Sequence, residues 1–191
     1  MNAIIRPALV LFAALTLICG ALYPVVITGI GQLAFPDKAE GSLIRLDGRP
    51  IGSRLIGQEF SSPDYFWGRP SATAPMPDNA AASGGSNLGP SNPALLAAIE
   101  KRIDTLKTAD PDNGAAIPVD LITASASGLD PEISLAAAYY QAARVARARH
   151  ISVDAVRRLI DKRSQSQYFG FFGEPRVNVL MLNLALDQSH Q

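Results

Sequence analysis

PALVLFAALTLICGALYPVVITGIGQLAFP, residues 7–36, contains no charged side chain. Within Ala8 to Ile30 only Thr16, Gly20, Pro24, Thr28 and Gly29 break a run of strongly apolar residues. At about 1.5 Å rise per residue that stretch extends roughly 34 Å, enough for a hydrocarbon core of about 30 Å. The expected anchor is residues 1–36, with the span at about 8–30. A cleaved leader is the competing reading, because MNAIIR carries one positive side chain and Gly29-Ile30-Gly31 is a small-x-small site. The apolar run is longer than the roughly 7–15 residues of a leader's apolar region.

Arg6 and the N-terminal amine favour a cytoplasmic N-terminus; Lys38, Arg45 and Arg49 pull the other way. A large following domain crosses regardless of such charges, so the charge rule leaves the side open. Thr16, Gly20, Pro24 and Thr28 recur every four residues, a stripe of little bulk that lets helix backbones approach in lipid. It is a candidate docking face for another subunit.

After Pro36 the composition changes. Over the whole chain, 17 Lys and Arg balance 17 Asp and Glu among 191 residues. Cys19, the only cysteine, lies in the apolar run, so an intrachain disulfide and a Cys-based zinc site are excluded. His150 and His190 are the only histidines, too few for a metal cluster.

Residues 42–60 read as two short strands turning at Asp47-Gly48. Tyr65, Phe66 and Trp67 lie between prolines and are expected in a small core. SGGSNLGPSNP, residues 83–93, is Gly-rich and uncharged; linker, phosphate cradle and shaped docking loop are its three readings. It feeds a helix opened by Asn92 and Pro93, with Leu95, Leu96, Ile99, Ile103 and Leu106 as its apolar stripe. A helix start can bind an anion, but the GK[ST] ending of a phosphate loop is missing.

IPVDLITAS, residues 117–125, alternates as a strand. Asp130-Pro131 is expected to start an alanine-rich helix reaching about Arg149, broken at His150-Ile151. Ser152 then caps a second helix through about Lys162. Residues 144–163 carry seven basic side chains against two acidic. A helix pair this basic invites a nucleic-acid reading; the membrane anchor and the neutral chain argue against it, so no nucleic-acid partner is expected. In the tail, Tyr168, Phe169, Phe171 and Phe172 are expected to pack inward, a partner-facing role for some of them being the alternative. A final helix is expected on Val177, Leu180, Met181 and Leu184. The fold class is therefore an α+β (mixed α/β) soluble domain, residues 37–191, attached to a single N-terminal transmembrane helix.

The sequence contains no DKTGT run, which a P-type pump phosphorylates, and no TVGYG filter run. An anchored small domain without a catalytic set reads as an accessory subunit, not an enzyme. GSRLIGQEF, YFWGRPSA, SGGSNLGPSNP, IPVDLITASASGLDPEIS, YQAARVARAR and FGFFGEPRVNVLMLNLAL occur in this order behind the apolar helix. In these runs the chain resembles the KdpC subunits of Kdp potassium-transporting ATPases, over nearly its whole length.

The resemblance implies a membrane-anchored, chaperone-like subunit of a high-affinity K⁺ uptake pump in the bacterial inner membrane. Its partners would be a catalytic P-type ATPase subunit, a potassium-selective channel-like subunit and membrane lipid. It implies no covalently bound cofactor and no metal, with ATP met only through the complex. It makes the Gly-rich loop a shaped element for domain architecture or partner docking rather than a phosphate cradle, with Ser83, Gly84, Gly85 and Asn87 as the docking candidates. The family is also linked to nucleotide contact, which would fall on Gln141, with Arg144 nearby. The family's domain is placed on the periplasmic side, where cytosolic ATP is absent. Direct contact and an effect passed through the membrane helix are therefore competing readings.

Overall fold

The computed structural model describes residues 2–188; His190 lies outside them. The chain packs as two compact units that divide between Ile51 and Gly52.

The first unit opens with α1 (Asn2–Leu17), a π-helical turn (Ile18–Leu22) and α2 (Tyr23–Ala34). Pro24 explains the widened turn: it has no N–H for the Gly20 carbonyl and its ring crowds that group. Ile4–Ala34 is a continuous helical stretch of 31 residues whose most apolar 18-residue window has a mean hydropathy of 2.4. It is the membrane-span candidate, and Thr16, Gly20, Pro24 and Thr28 are exposed along it. A short helix, α3 (Pro36–Ala39), follows. β1 (Leu43–Leu46) and β2 (Arg49–Ser53) form a hairpin. Its turn residues Asp47 and Gly48 both take positive φ, 50° and 78°, as the sequence expects of a two-residue turn.

The second unit is mixed helix and sheet. Its helices are α4 (Pro93–Ala109), α5 (Leu135–Ala148), α6 (Val153–Arg163) and α7 (Val179–Gln188). A three-stranded antiparallel sheet combines β3 (Glu132–Ser134), β4 (Ser164–Gln165) and β5 (Arg176–Asn178), with β5 in the centre. Ile133 faces Val177 in one pairing and Ser164 faces Val177 in the other. Ala137, Ala138, Ala142 and Ala146 bury one face of α5 in a core with Val156, Ile160, Leu182 and Leu186. Small side chains there bring α5 close to its neighbours.

Several caps follow the sequence. Asn92 accepts from Ala94 N–H at 2.9 Å, with Pro93 first in α4. Ser152 accepts from Ala155 N–H at 3.1 Å, and His150 breaks the chain with φ 56°.

Three expectations differ. Residues 117–125 make no strand: Val119–Leu121 is a 3-10 turn. Its Asp120 carboxylate accepts from Ser134 N–H at 2.7 Å, so the segment braces a helix start. Next, α5 begins at Leu135, not at Pro131. Asp130 instead accepts from Glu132 N–H at 3.0 Å, and Glu132–Ser134 pairs with β5. Ser134 is the true cap, accepting from Ala137 N–H at 3.0 Å. Finally, Val177 belongs to β5, and α7 begins after Asn178, whose side chain accepts from Met181 N–H at 3.0 Å.

Candidate functional site

The segment Pro63–Gly68 has no strand beside it, yet Phe66 and Trp67 are buried. Buried backbone groups need partners, and two carboxamides supply them. Asn183 of α7 accepts from Phe66 N–H at 2.8 Å and donates to Phe66 C=O at 3.0 Å. Gln141 of α5 accepts from Trp67 N–H at 2.8 Å and donates to Trp67 C=O at 3.1 Å. Consecutive residues are thus gripped by side chains doing the work of a neighbouring strand.

The rest of α5 completes the grip. Gln141 also donates to Ala137 C=O at 3.3 Å and accepts from Arg144 at 2.7 Å. Its two donors and two acceptor positions are then all used. Arg144 donates to Pro63 C=O at 2.6 Å and Tyr65 C=O at 3.1 Å, and lies 4.4 Å from the Trp67 ring centre. Burial pushes its guanidinium down to about 10, opposed by the nearby Asp110 carboxylate; it stays charged at neutral pH. Arg149 donates to Asp64 C=O at 2.6 Å and pairs with Asp187 at 2.8 Å, over the Tyr65 ring. Gln141 and Arg144 share a face because side chains three apart lie on one side of a helix, and Arg149 joins them from the C-cap just past the end of α5.

Beside this cradle is a cleft of about 320 Å³, lined by Glu59, Trp67, Arg69, Asp78 and Arg102 among others. Arg102 donates to Leu121 C=O and Gly68 C=O, both at 3.0 Å, and burial lowers its pKa. Arg69 pairs with Asp130 at 3.0 Å. Burial, then the Glu59 carboxylate, raises the pKa of Asp78. Among the described residues no group of three or more His, Cys, Asp and Glu side chains is gathered to hold a metal. Nε and Nη2 of Arg102 and the two terminal nitrogens of Arg69 are committed to protein groups, while Arg69 Nε is buried without a hydrogen-bond partner among the described residues.

The Gly-rich loop is tied into the unit. Gly84 N–H and the Ser83 hydroxyl both donate to Ser127 C=O, at 2.8 and 3.0 Å. A methyl at Gly85 would stand 2.8 Å from Ala126 O. One at Gly128, where φ is 67°, would stand 2.5 Å from Thr73 Cγ2. The loop is shaped, and Ser83, Gly84 and Gly85 serve its own chain. Asn87 is exposed with φ 51°.

Tyr65, Phe66 and Trp67 pack as the sequence expects; the tail aromatics do not. Tyr168, Phe169, Phe171 and Phe172 are 62, 89, 68 and 58% exposed. Asn183 and Arg102 escape a reading by periodicity. The signal for Asn183 was a lone carboxamide inside LMLNLAL, on a helix otherwise apolar there.

The chain combines one helix long and apolar enough to cross a membrane with a second unit of mixed helix and sheet. The family profile "KdpC: K+-transporting ATPase, c chain" matches residues 5–188. Among similar proteins, a Potassium-transporting ATPase KdpC subunit of Janthinobacterium sp. (strain Marseille) is 69% identical over 98% of this chain and 100% of its own. One from Herminiimonas arsenicoxydans is 67% identical with both chains fully covered. One from Methylibium petroleiphilum is 65% identical over 98% of each. The chain belongs to the KdpC family of potassium-transporting ATPase subunits.

Proposed function

We propose that this chain is a non-catalytic subunit that stabilises a high-affinity ATP-driven K⁺ uptake pump and assists ATP use without binding the nucleotide. It crosses the bacterial inner membrane once and holds its second unit on the outer side. Its partners are the catalytic P-type subunit and a potassium-selective channel-like subunit, with the Thr16–Thr28 stripe as the face offered in lipid. The help to ATP use passes through the helix as a coupling free energy between distant sites.

The observation that carries this over direct nucleotide contact is the saturation of Gln141. Its amide makes four hydrogen bonds within the chain. A nucleotide would have to break the Trp67 grip to reach it.

Two experiments test the reading. Removing residues 1–34 is expected to abolish co-purification with the larger subunits and K⁺-stimulated ATPase; unchanged assembly and activity would overturn it. With Cys19→Ser and Ser86→Cys, a membrane-impermeant thiol reagent is expected to label intact cells stripped of their outer barrier. Labelling only after lysis would place the unit in the cytoplasm and revive Gln141 as a nucleotide ligand.

A further inference from the structure

Opposite charges line the cleft beside the cradle without meeting. Arg102 is half-buried and held in place, because its Nε and Nη2 donate to Leu121 C=O and Gly68 C=O, both at 3.0 Å. Its Nη1 makes no hydrogen bond, and no carboxylate pairs with it, among the described residues. Arg69, Arg149 and Arg176 are each matched, to Asp130, Asp187 and Glu132. A half-buried charge without a counter-ion is costly until something supplies one.

Two carboxylates line the same cleft and do not supply it. Among the described residues the side chains of Glu59 and Asp78 accept no hydrogen bond and enter no ion pair. Asp78 is fixed by its backbone: its N–H donates to Ser71 Oγ at 2.9 Å and its φ is 53°. A methyl at Gly57 would stand 2.7 Å from Asp78 Oδ1, so glycine there leaves the carboxylate its place. The Glu59 charge helps to raise the pKa of Asp78 and opposes the lowering at Arg102, so it is felt at both without bonding to either.

The opening between these groups is about 320 Å³, near the lower end for small-molecule sites, with Phe60 and Pro77 among its apolar walls. A simple cation would satisfy the carboxylates and leave Arg102 unmatched; a simple anion would do the reverse. A small molecule with an ammonium and a carboxylate a few bonds apart answers all three groups. We propose that this cleft binds a free α-amino acid, its ammonium held by Glu59 and Asp78 and its carboxylate by Arg102. The site goes beyond the accessory-subunit reading and does not depend on it.

The probe is an equimolar millimolar mixture of the proteinogenic α-amino acids, brought to dialysis equilibrium with the full chain in detergent. Methylamine and acetate serve as the two half-ligands. The expected result is retention of one or more amino acids on the protein side, with neither half-ligand retained to the same extent. No retention, or methylamine or acetate held as well as the amino acid, would overturn the inference. Glu59→Gln removes a charge that makes no contact within the fold, and it is expected to weaken retention about tenfold. Asp78→Asn is expected to weaken it likewise while raising the unfolding midpoint at neutral pH, a pairing that misfolding cannot produce. Retention unchanged in both variants would sink the proposal and leave the accessory reading standing.

Discussion

YFWG at 65–68 and YFGFFG at 168–173 have nearly the same composition and opposite fates. Phe66 is wholly buried and Phe169 is 89% exposed. Aromatic content does not separate them; backbone partners do. The first segment cannot satisfy its own peptide groups, and Gln141 and Asn183 reach out from two helices to satisfy them. The second folds back on itself, so its peptide groups pair within the hairpin and draw no helix over it. A ring goes inside where the rest of the chain has a place for its backbone. A hairpin that is complete by itself leaves its rings for something else.

The comparison breaks most readily at the carboxamides. Gln141→Ala or Asn183→Ala leaves a buried N–H and C=O unpaired, and each variant is expected to lose about 3 kcal/mol of unfolding free energy. Denaturant titration of the full chain in detergent checks this, and a loss below about 1 kcal/mol would show that water replaces the amide. Arg144→Lys keeps the charge but not the fork that spans two carbonyls and a carboxamide. The same titration is expected to show a loss of about 2 kcal/mol.

Asp78 gives a smaller effect, with a sign that depends on pH. Its pKa is higher folded than unfolded, so its contribution is present at low pH and lost as pH rises through the folded value. Asp78→Asn is therefore expected to raise the unfolding midpoint at pH 7, with the gain vanishing below about pH 3. An equal gain at both pH values would point to backbone rather than charge. Smallest is the hairpin: Phe171→Ser is expected to change stability by less than about 0.5 kcal/mol. A larger loss would mean that its rings support the fold.

What the sequence makes legible is local. The uncharged run marks the membrane-span candidate, Asp47-Gly48 the hairpin turn, and Asn92 and Ser152 two helix starts, because each acts on neighbours a few residues away. What it hides depends on distant partners. Residues 117–125 alternate like a strand, but Asp120 is recruited to brace Ser134. Asp130-Pro131 resembles a helix start, but β5 claims the next three residues as an edge. The candidate site follows the same rule. Gln141 and Arg144 can be singled out by resemblance, yet their engagement with Pro63–Trp67 spans more than seventy positions and has no periodic signature.

Trp67 is the only tryptophan in the chain, so its fluorescence reports on the cradle alone. The most direct test is acrylamide quenching of Trp67 in the full chain, in Gln141→Ala and in the Phe169→Ser, Phe171→Ser variant, each with and without millimolar ATP. The expected result is a shielded ring in the first and third, an exposed and red-shifted one in Gln141→Ala, and no response to ATP. A ring that stays shielded in Gln141→Ala, or one whose quenching ATP alters through Gln141, would contradict the structural role assigned to that side chain.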